Sequence, residues 1–100
     1  MPIHCFGNMN LLIVKNALLE IESILNSSSF SERNEAIGKR IIDALRLIRS
    51  VIPSDRIIAM NLAAIEGRAR ELAIDENNWT FAKNEILRMC SRLRSVLPRT

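Results

Sequence analysis

The feature that most restricts the fold of this 100-residue chain is a helical spacing of apolar residues, which recurs in four segments. In each segment the apolar residues follow one another mainly in steps of three and four, which places them on one face of an α-helix. The predicted core stripes are Leu11, Val14, Leu18, Ile21 and Leu25; Ile37, Ile41, Ala44, Leu45, Ile48, Val51 and Ile52; Ile58, Leu62, Ile65, Ala69, Leu72 and Ala73; and Trp79, Ala82, Ile86, Met89, Cys90, Leu93, Val96 and Leu97. The spacing therefore predicts an all-α chain of four helices.

Polar residues and prolines separate the four predicted helices. The candidate N-terminal caps are Asn8 or Asn10, Ser29 or Ser31, Ser54 and Asp75, because their side chains can accept hydrogen bonds from the first turn of a helix. Pro53 and Pro98 end the second and fourth helices, since the residue before a proline disfavours α geometry. The connections are short, so successive helices should be antiparallel neighbours in an antiparallel four-helix bundle.

The length of the chain indicates one domain with one hydrophobic core. We predict a flexible N-terminal tail at residues 1–8 and a single four-helix domain at 9–98. Residues 48–53 (IRSVIP) resemble residues 93–98 (LRSVLP) at an offset of 45, which divides the domain into two helical hairpins, 9–53 and 54–98. The alternative is chance similarity between amphipathic helices. A true repeat would make Arg49 equivalent to Arg94, and Ile42 equivalent to Leu87.

Composition limits the fold class of the protein and the cellular compartment in which we expect it. Three glycines and three prolines supply few of the turns that an all-β fold requires. No apolar run approaches the roughly 18 residues of a membrane-spanning helix, so we expect no membrane binding. Two cysteines are fewer than a small secreted domain usually contains. We therefore expect a cytoplasmic protein.

Sequence signatures of catalysis and metal binding are missing from the chain. It has no Glu-x-x-His pair, no Cys-x-x-Cys motif and no glycine-rich phosphate loop. The single histidine, His4, falls in the predicted tail, and with Cys5 and Cys90 it could supply three ligands, whereas zinc sites use three or four protein ligands and structural ones four. Cys90 lies on a core stripe, where a thiol acts as a small hydrophobic group. We expect a non-enzymatic protein with no cofactor and no metal.

Apolar and small residues outside the core stripes form candidate partner-binding faces. They are Leu12, Leu19, Met60, Ala63, Gly67 and Phe81. The two leucines lie one heptad apart and nearly opposite the first core stripe, and Ala64 extends the small-residue face of the third helix. A mid-helix glycine costs about 1 kcal/mol relative to alanine, which suggests a packing role for Gly67. The alternative is that single exposed apolar residues are normal and that a bundle buries a wide arc of each helix.

Basic side chains are concentrated on the second and fourth helices. The chain carries a net charge of +3, and residues 36–53 and 76–100 each carry +3 while residues 1–35 carry −2. The candidate contacts are Lys39, Arg46, Arg49, Arg88, Arg92, Arg94 and Arg99. Arginine suits carboxylate and phosphate ligands alike. A solvated face that serves only solubility is the alternative.

The sequence thus predicts a non-enzymatic helical interaction protein, such as an adaptor, inhibitor, chaperone-like protein or regulatory subunit. It would bind a protein partner, either a second copy of itself or another protein with an acidic surface. A homodimer is the expected form, because two-fold dimers are the commonest symmetric assemblies. The alternative function is a small nucleic-acid-binding regulator that places the arginine-rich faces of the second and fourth helices on phosphates.

Overall fold

The structure of this chain is a computed structural model that describes residues 8–30, 34–52 and 55–97. They form four helices: α1 (Asn8–Asn26), α2 (Asn34–Val51), α3 (Arg56–Glu71) and α4 (Glu76–Val96). No strand occurs within the described ranges. The all-α prediction is confirmed, and all four predicted helices are present.

The four helices pack as a ring. α1 packs against α2, α2 against α3, α3 against α4, and α4 against α1, whereas the diagonal pairs α1–α3 and α2–α4 bring no Cα atoms within 8 Å of each other in the described residues. The principal extents of 41 × 21 × 19 Å fit helices of this length lying side by side. This arrangement is consistent with the predicted bundle of two hairpins. Because α1 and α3 are diagonal, their outward faces lie on opposite sides of the molecule.

The core is formed almost entirely by aliphatic side chains from the predicted stripes. All five predicted core residues of α1 are buried, together with Ala17 and Ile24, and Trp79 on α4 is buried as well. Ile37, Val51 and Ile52 are half-buried and pack at the edge of the core. A predicted stripe covers a narrower arc than the bundle buries, because each helix contacts two neighbours.

Two predicted core residues are exposed. Ala73 follows the end of α3 at Glu71, so it no longer continues the buried face of that helix. Val96 is 40% exposed at the last residue of α4, whereas Leu97 beside it is buried. Both predictions were wrong because they extended a helical period to residues at or beyond a helix end.

Aspartate side chains cap α3 and α4. The Asp75 carboxylate accepts a hydrogen bond from the Asn78 N–H (2.7 Å), as predicted. The Asp55 carboxylate accepts one from the Ile58 N–H (3.0 Å), so Asp55, and not the predicted Ser54, caps α3. Each cap satisfies an N–H that has no partner inside the helix.

Other predicted boundaries fall partly outside the described ranges. α1 begins at Asn8, which was placed in the tail, and residues 1–7 lie outside the described part of the chain. α2 begins at Asn34, so the non-helical Ser29 does not cap it. Ser31, Ser54, Pro53 and Pro98 also lie outside the described residues.

Gly38 allows α2 and α3 to approach closely. This buried glycine faces the backbone of Ala69, and a Cβ added to Gly38 would lie 2.8 Å from the Ala69 carbonyl oxygen. Carbon and oxygen atoms at that separation repel each other. A residue with a side chain would therefore force the two helices apart, and only glycine fits this crossing without movement.

Candidate interaction surfaces

The outward side of α3 presents an uncharged stripe, here called the α3 outer face. It consists of Ile57, Met60, Ala63, Ala64 and Gly67, all of which are exposed. Ile57 and Met60 are the largest members, with 65% and 63% of their surface accessible. The structure thus brings together three of the sequence-predicted residues, Met60, Ala63 and Gly67. Ile57 was missed, although it lies three residues before Met60 on the same helical spacing.

Gly67 lies on an open part of the α3 outer face. A Cβ added there would meet no atom within 4 Å among those the structure describes. Packing inside the described molecule therefore does not explain this glycine. The cost of about 1 kcal/mol that a mid-helix glycine carries relative to alanine is not offset by any contact seen here.

A second apolar surface lies on the outward side of α1, here called the α1 outer face. It consists of Met9, Leu12 and Leu19, and the two leucines are 49% and 52% exposed. The structure places Leu12 and Leu19 on one face, as their heptad spacing predicts. It does not bring them near the α3 outer face, since the two helices are diagonal.

Phe81 is half exposed and contacts a side chain of the neighbouring helix. The guanidinium carbon of Arg68 lies 4.8 Å from the centre of the Phe81 ring, within the range of a cation–π contact. Arg68 also donates to both carboxylate oxygens of Glu71, at 2.9 and 3.2 Å. Phe81 therefore lies at the α3–α4 boundary, apart from the α3 outer face.

The two arginines that the predicted repeat makes equivalent both form ion pairs with another helix. Arg49 on α2 donates to Glu66 on α3 (2.7 Å). Arg94 on α4 lies 2.8 Å from Glu22 on α1. Each ion pair thus joins the second helix of one predicted hairpin to the first helix of the other. Their equivalence was predicted from the sequence, but their carboxylate partners were not.

The Arg94–Glu22 pair lies beside the buried thiol of Cys90. The paired Glu22 oxygen is buried and has Arg94 as its charge partner, but the contact does not have hydrogen-bond geometry. Burial, together with the nearby Glu22 carboxylate and against the opposing effect of Arg94, raises the pKa of the Cys90 thiol to about 12. The thiol is therefore protonated near neutral pH and is a poor nucleophile.

Two further carboxylates, Glu66 and Glu85, accept hydrogen bonds from arginines. Glu66 accepts hydrogen bonds from Arg70 (2.8 Å) and Arg49, which lower the pKa of the Glu66 carboxyl, with Arg70 contributing most. Arg88 donates two hydrogen bonds of 2.9 Å to Glu85 and lowers the pKa of that carboxyl in the same way.

Few of the candidate basic residues are consequently left for an external partner. Arg46 lies 3.8 Å from Asp43 in a loose, exposed ion pair. Lys39 and Arg92 are exposed and form no ion pair with any described residue. Arg99 lies outside the described ranges. Four of the six described candidates, Arg46, Arg49, Arg88 and Arg94, are therefore paired within the molecule.

A groove of about 370 Å³ runs between α2 and α3 beside the Gly38–Ala69 contact. Lys39, Arg46 and Arg70 line it together with Glu35 and Asp43. Three basic and two acidic side chains in one open groove do not select a ligand of either charge. The groove therefore gives no basis for assigning a small-molecule ligand.

The described residues form neither a metal-binding cluster nor a membrane-spanning helix. Within the described ranges, no three histidine, cysteine, aspartate or glutamate side chains are grouped so that they could hold a metal ion. His4 and Cys5 lie outside those ranges, so the structure does not describe a metal site formed by His4, Cys5 and Cys90. None of the described helices is long and apolar enough to cross a membrane.

Comparison with known proteins does not assign the chain to a family. No protein-family model matches it, and neither the curated proteins nor the solved structures that were compared with it include a match.

Proposed function

We propose that this chain is a non-enzymatic helical interaction protein, an antiparallel four-helix bundle of two hairpins that binds protein through its helix faces. The carrying observation is the α3 outer face, where Ile57 and Met60 remain almost two-thirds exposed beside alanines and an open glycine. Full burial of an isoleucine or methionine side chain contributes about 1.5–3 kcal/mol. Two such anchors on one helix face are the kind of group that supplies binding energy in protein interfaces.

Charge on α2 and α4 would add selectivity for an acidic partner. Lys39 and Arg92 are exposed and without an ion pair in the described part of the chain, and Arg46 is only loosely held. Cations at the rim of an interface speed the approach of an acidic surface and disfavour basic ones. A reducing cytoplasm suits this proposal, because the buried Cys90 would stay a thiol there.

The same residues support nucleic-acid binding less well. Phosphate contacts on a duplex require several cations in a row, and four of the six described candidates already have carboxylate partners. The arginine-rich faces of α2 and α4 therefore remain the second candidate site. The capture experiment below, run with and without nuclease, distinguishes nucleic-acid binding from protein binding.

Affinity capture with the tagged, full-length chain tests the proposal, with and without nuclease. We expect a protein, either an untagged second copy or a different chain, to be captured and to resist nuclease. Met60→Asp should abolish capture if the partner binds the α3 outer face, and Leu12→Asp with Leu19→Asp should abolish it if the partner binds the α1 outer face, because each change places charge on an apolar face. Ser91→Asp, at an exposed position of α4, is the matched control and should leave it unchanged.

Two results would count against this function. Capture that disappears with nuclease and weakens steeply with salt would favour the nucleic-acid alternative. Capture that is equal for all variants would show that neither apolar face binds the partner.

A further inference from the structure

The two halves of the α3 outer face differ in size. The N-terminal half carries the large residues Ile57 and Met60, and the C-terminal half carries Ala63, Ala64 and Gly67. An antiparallel second copy of α3 would place the large half of each helix against the small half of the other. A parallel copy would stack large residues on large ones and leave a gap at the small ones. The face is thus complementary to itself in one orientation only.

Charges at the two ends of α3 favour that same orientation. Arg56 begins the helix, is exposed, and forms no ion pair with any described residue. A positive charge at this position is also repelled by the positive end of the helix dipole. Glu71 ends the helix and is partly exposed, although Arg68 already contacts it.

One alignment satisfies both kinds of complementarity. Arg56 lies four residues before Met60, and Glu71 lies four residues after Gly67. If Met60 faces Gly67 of a second copy, Arg56 therefore faces Glu71 of that copy, and Ala63 faces Ala64. Met60 then meets Gly67, Arg56 meets Glu71 and Ala63 meets Ala64, while Ile57 lies opposite Arg70, whose guanidinium is already paired with Glu66.

We propose that the α3 outer face is a homodimer interface in which two copies of α3 pack antiparallel about a two-fold axis near Ala63 and Ala64. This inference rests on the proposed function and names a second copy of the chain as the partner. The open position of Gly67 is then explained, because a side chain there would keep the second helix at a distance. Such an interface uses the same surface on both copies, so it closes as a dimer.

Light scattering or sedimentation over a concentration series gives the first test. The unsubstituted chain should be a dimer at tens of micromolar. Gly67→Gln should raise the dimer Kd about tenfold or more, because it fills the close approach. Glutamine favours helix over glycine, so the variant should remain folded by circular dichroism. Ser91→Asp on α4 is the control and should leave the dimer Kd unchanged, whereas Leu12→Asp with Leu19→Asp tests the α1 outer face as the alternative interface.

A charge exchange tests the antiparallel alignment. Arg56→Glu alone and Glu71→Lys alone should each weaken the dimer, since like charges then face each other. An equal mixture of the two variants should form a heterodimer about tenfold tighter than either variant alone, because both facing pairs are opposite in charge again. In a parallel dimer position 56 would face itself, so Arg56→Glu alone would not weaken it.

The results separate failure of this inference from failure of the proposed function. A strict monomer at tens of micromolar overturns the dimer, while capture of a different protein that depends on Met60 or Leu12 would leave the proposed function standing. A dimer that is insensitive to Gly67→Gln but broken by the α1 double variant also overturns it and moves the interface to α1. A monomer that captures nothing overturns both.

Discussion

Two glycines inside helices have opposite surroundings in this molecule. Gly38 of α2 is buried, and a side chain there would collide with the Ala69 carbonyl, whereas Gly67 of α3 is exposed with open space around it. Both lower helix stability by a similar amount relative to alanine. Gly38 allows α2 to contact the backbone of α3 inside the molecule. At Gly67, no contact among the described residues requires a glycine. The difference shows that a mid-helix glycine identifies a close approach only once its surroundings are known.

The largest effect is expected at the buried glycine. Gly38→Ala should lower the free energy of unfolding by about 2 kcal/mol, because the added methyl group forces α2 and α3 apart and outweighs the gain in helix propensity. Urea denaturation followed by circular dichroism measures this change. An unchanged or higher stability would show that the two helix backbones do not approach as described.

The opposite sign is expected at the exposed glycine. Gly67→Ala should raise the free energy of unfolding by about 1 kcal/mol when the chain is dilute enough to be monomeric, because alanine is the better helix former and its methyl group meets nothing. The same urea titration serves as the measurement. A loss of stability at that dilution would reveal a contact at Gly67 within one chain and would remove the contrast with Gly38.

The smallest effect is expected at Glu66, which also connects α2 to α3. Glu66→Gln removes the carboxylate that pairs with Arg49 and Arg70 and should lower the free energy of unfolding by less than about 1 kcal/mol at pH 7. Because the pKa of Glu66 is lowered in the folded state, its contribution is complete above its ordinary value of 4.5 and is lost as the pH falls through the lowered pKa.

Denaturation of both forms at several pH values checks this dependence. The stabilities of the unsubstituted chain and of Glu66→Gln should converge as the pH falls below about 4.5. A difference that stayed constant down to pH 2 would mean that the carboxylate charge does not stabilise the contact between α2 and α3.

The sequence predicted those features that depend on neighbours along the chain. The spacing of Leu11, Val14 and Leu18 predicts a buried face because three and four residues make about one helical turn. The cap at Asp75 was also predictable, since its carboxylate bonds to an N–H three residues away. At α3 two adjacent residues, Ser54 and Asp55, have side chains that can cap, and the prediction of Ser54 was wrong. The exposure of Met60, Ala63 and Gly67 follows from the same periodicity; their role in binding stays a prediction.

Features that depend on how helices cross were not predictable. The collision at Gly38 depends on the separation of two helix backbones, for which helix periodicity gives no value. The partners of Arg49 and Arg94 depend on which carboxylates come within reach of flexible side chains from other helices. For that reason arginines predicted as a contact surface proved to be paired with Glu66 and Glu22 inside the molecule.

The diagonal placement of α1 and α3 has a consequence for valency. A dimer closed through the α3 outer faces would leave both copies of Leu12 and Leu19 uncovered, at opposite ends of the assembly. Such an assembly is bivalent: two identical sites are carried on one rigid body at a fixed distance. A target that repeats its own site at a matching distance would be held by avidity, about a hundredfold or more tighter than a single site allows, without any additional contact.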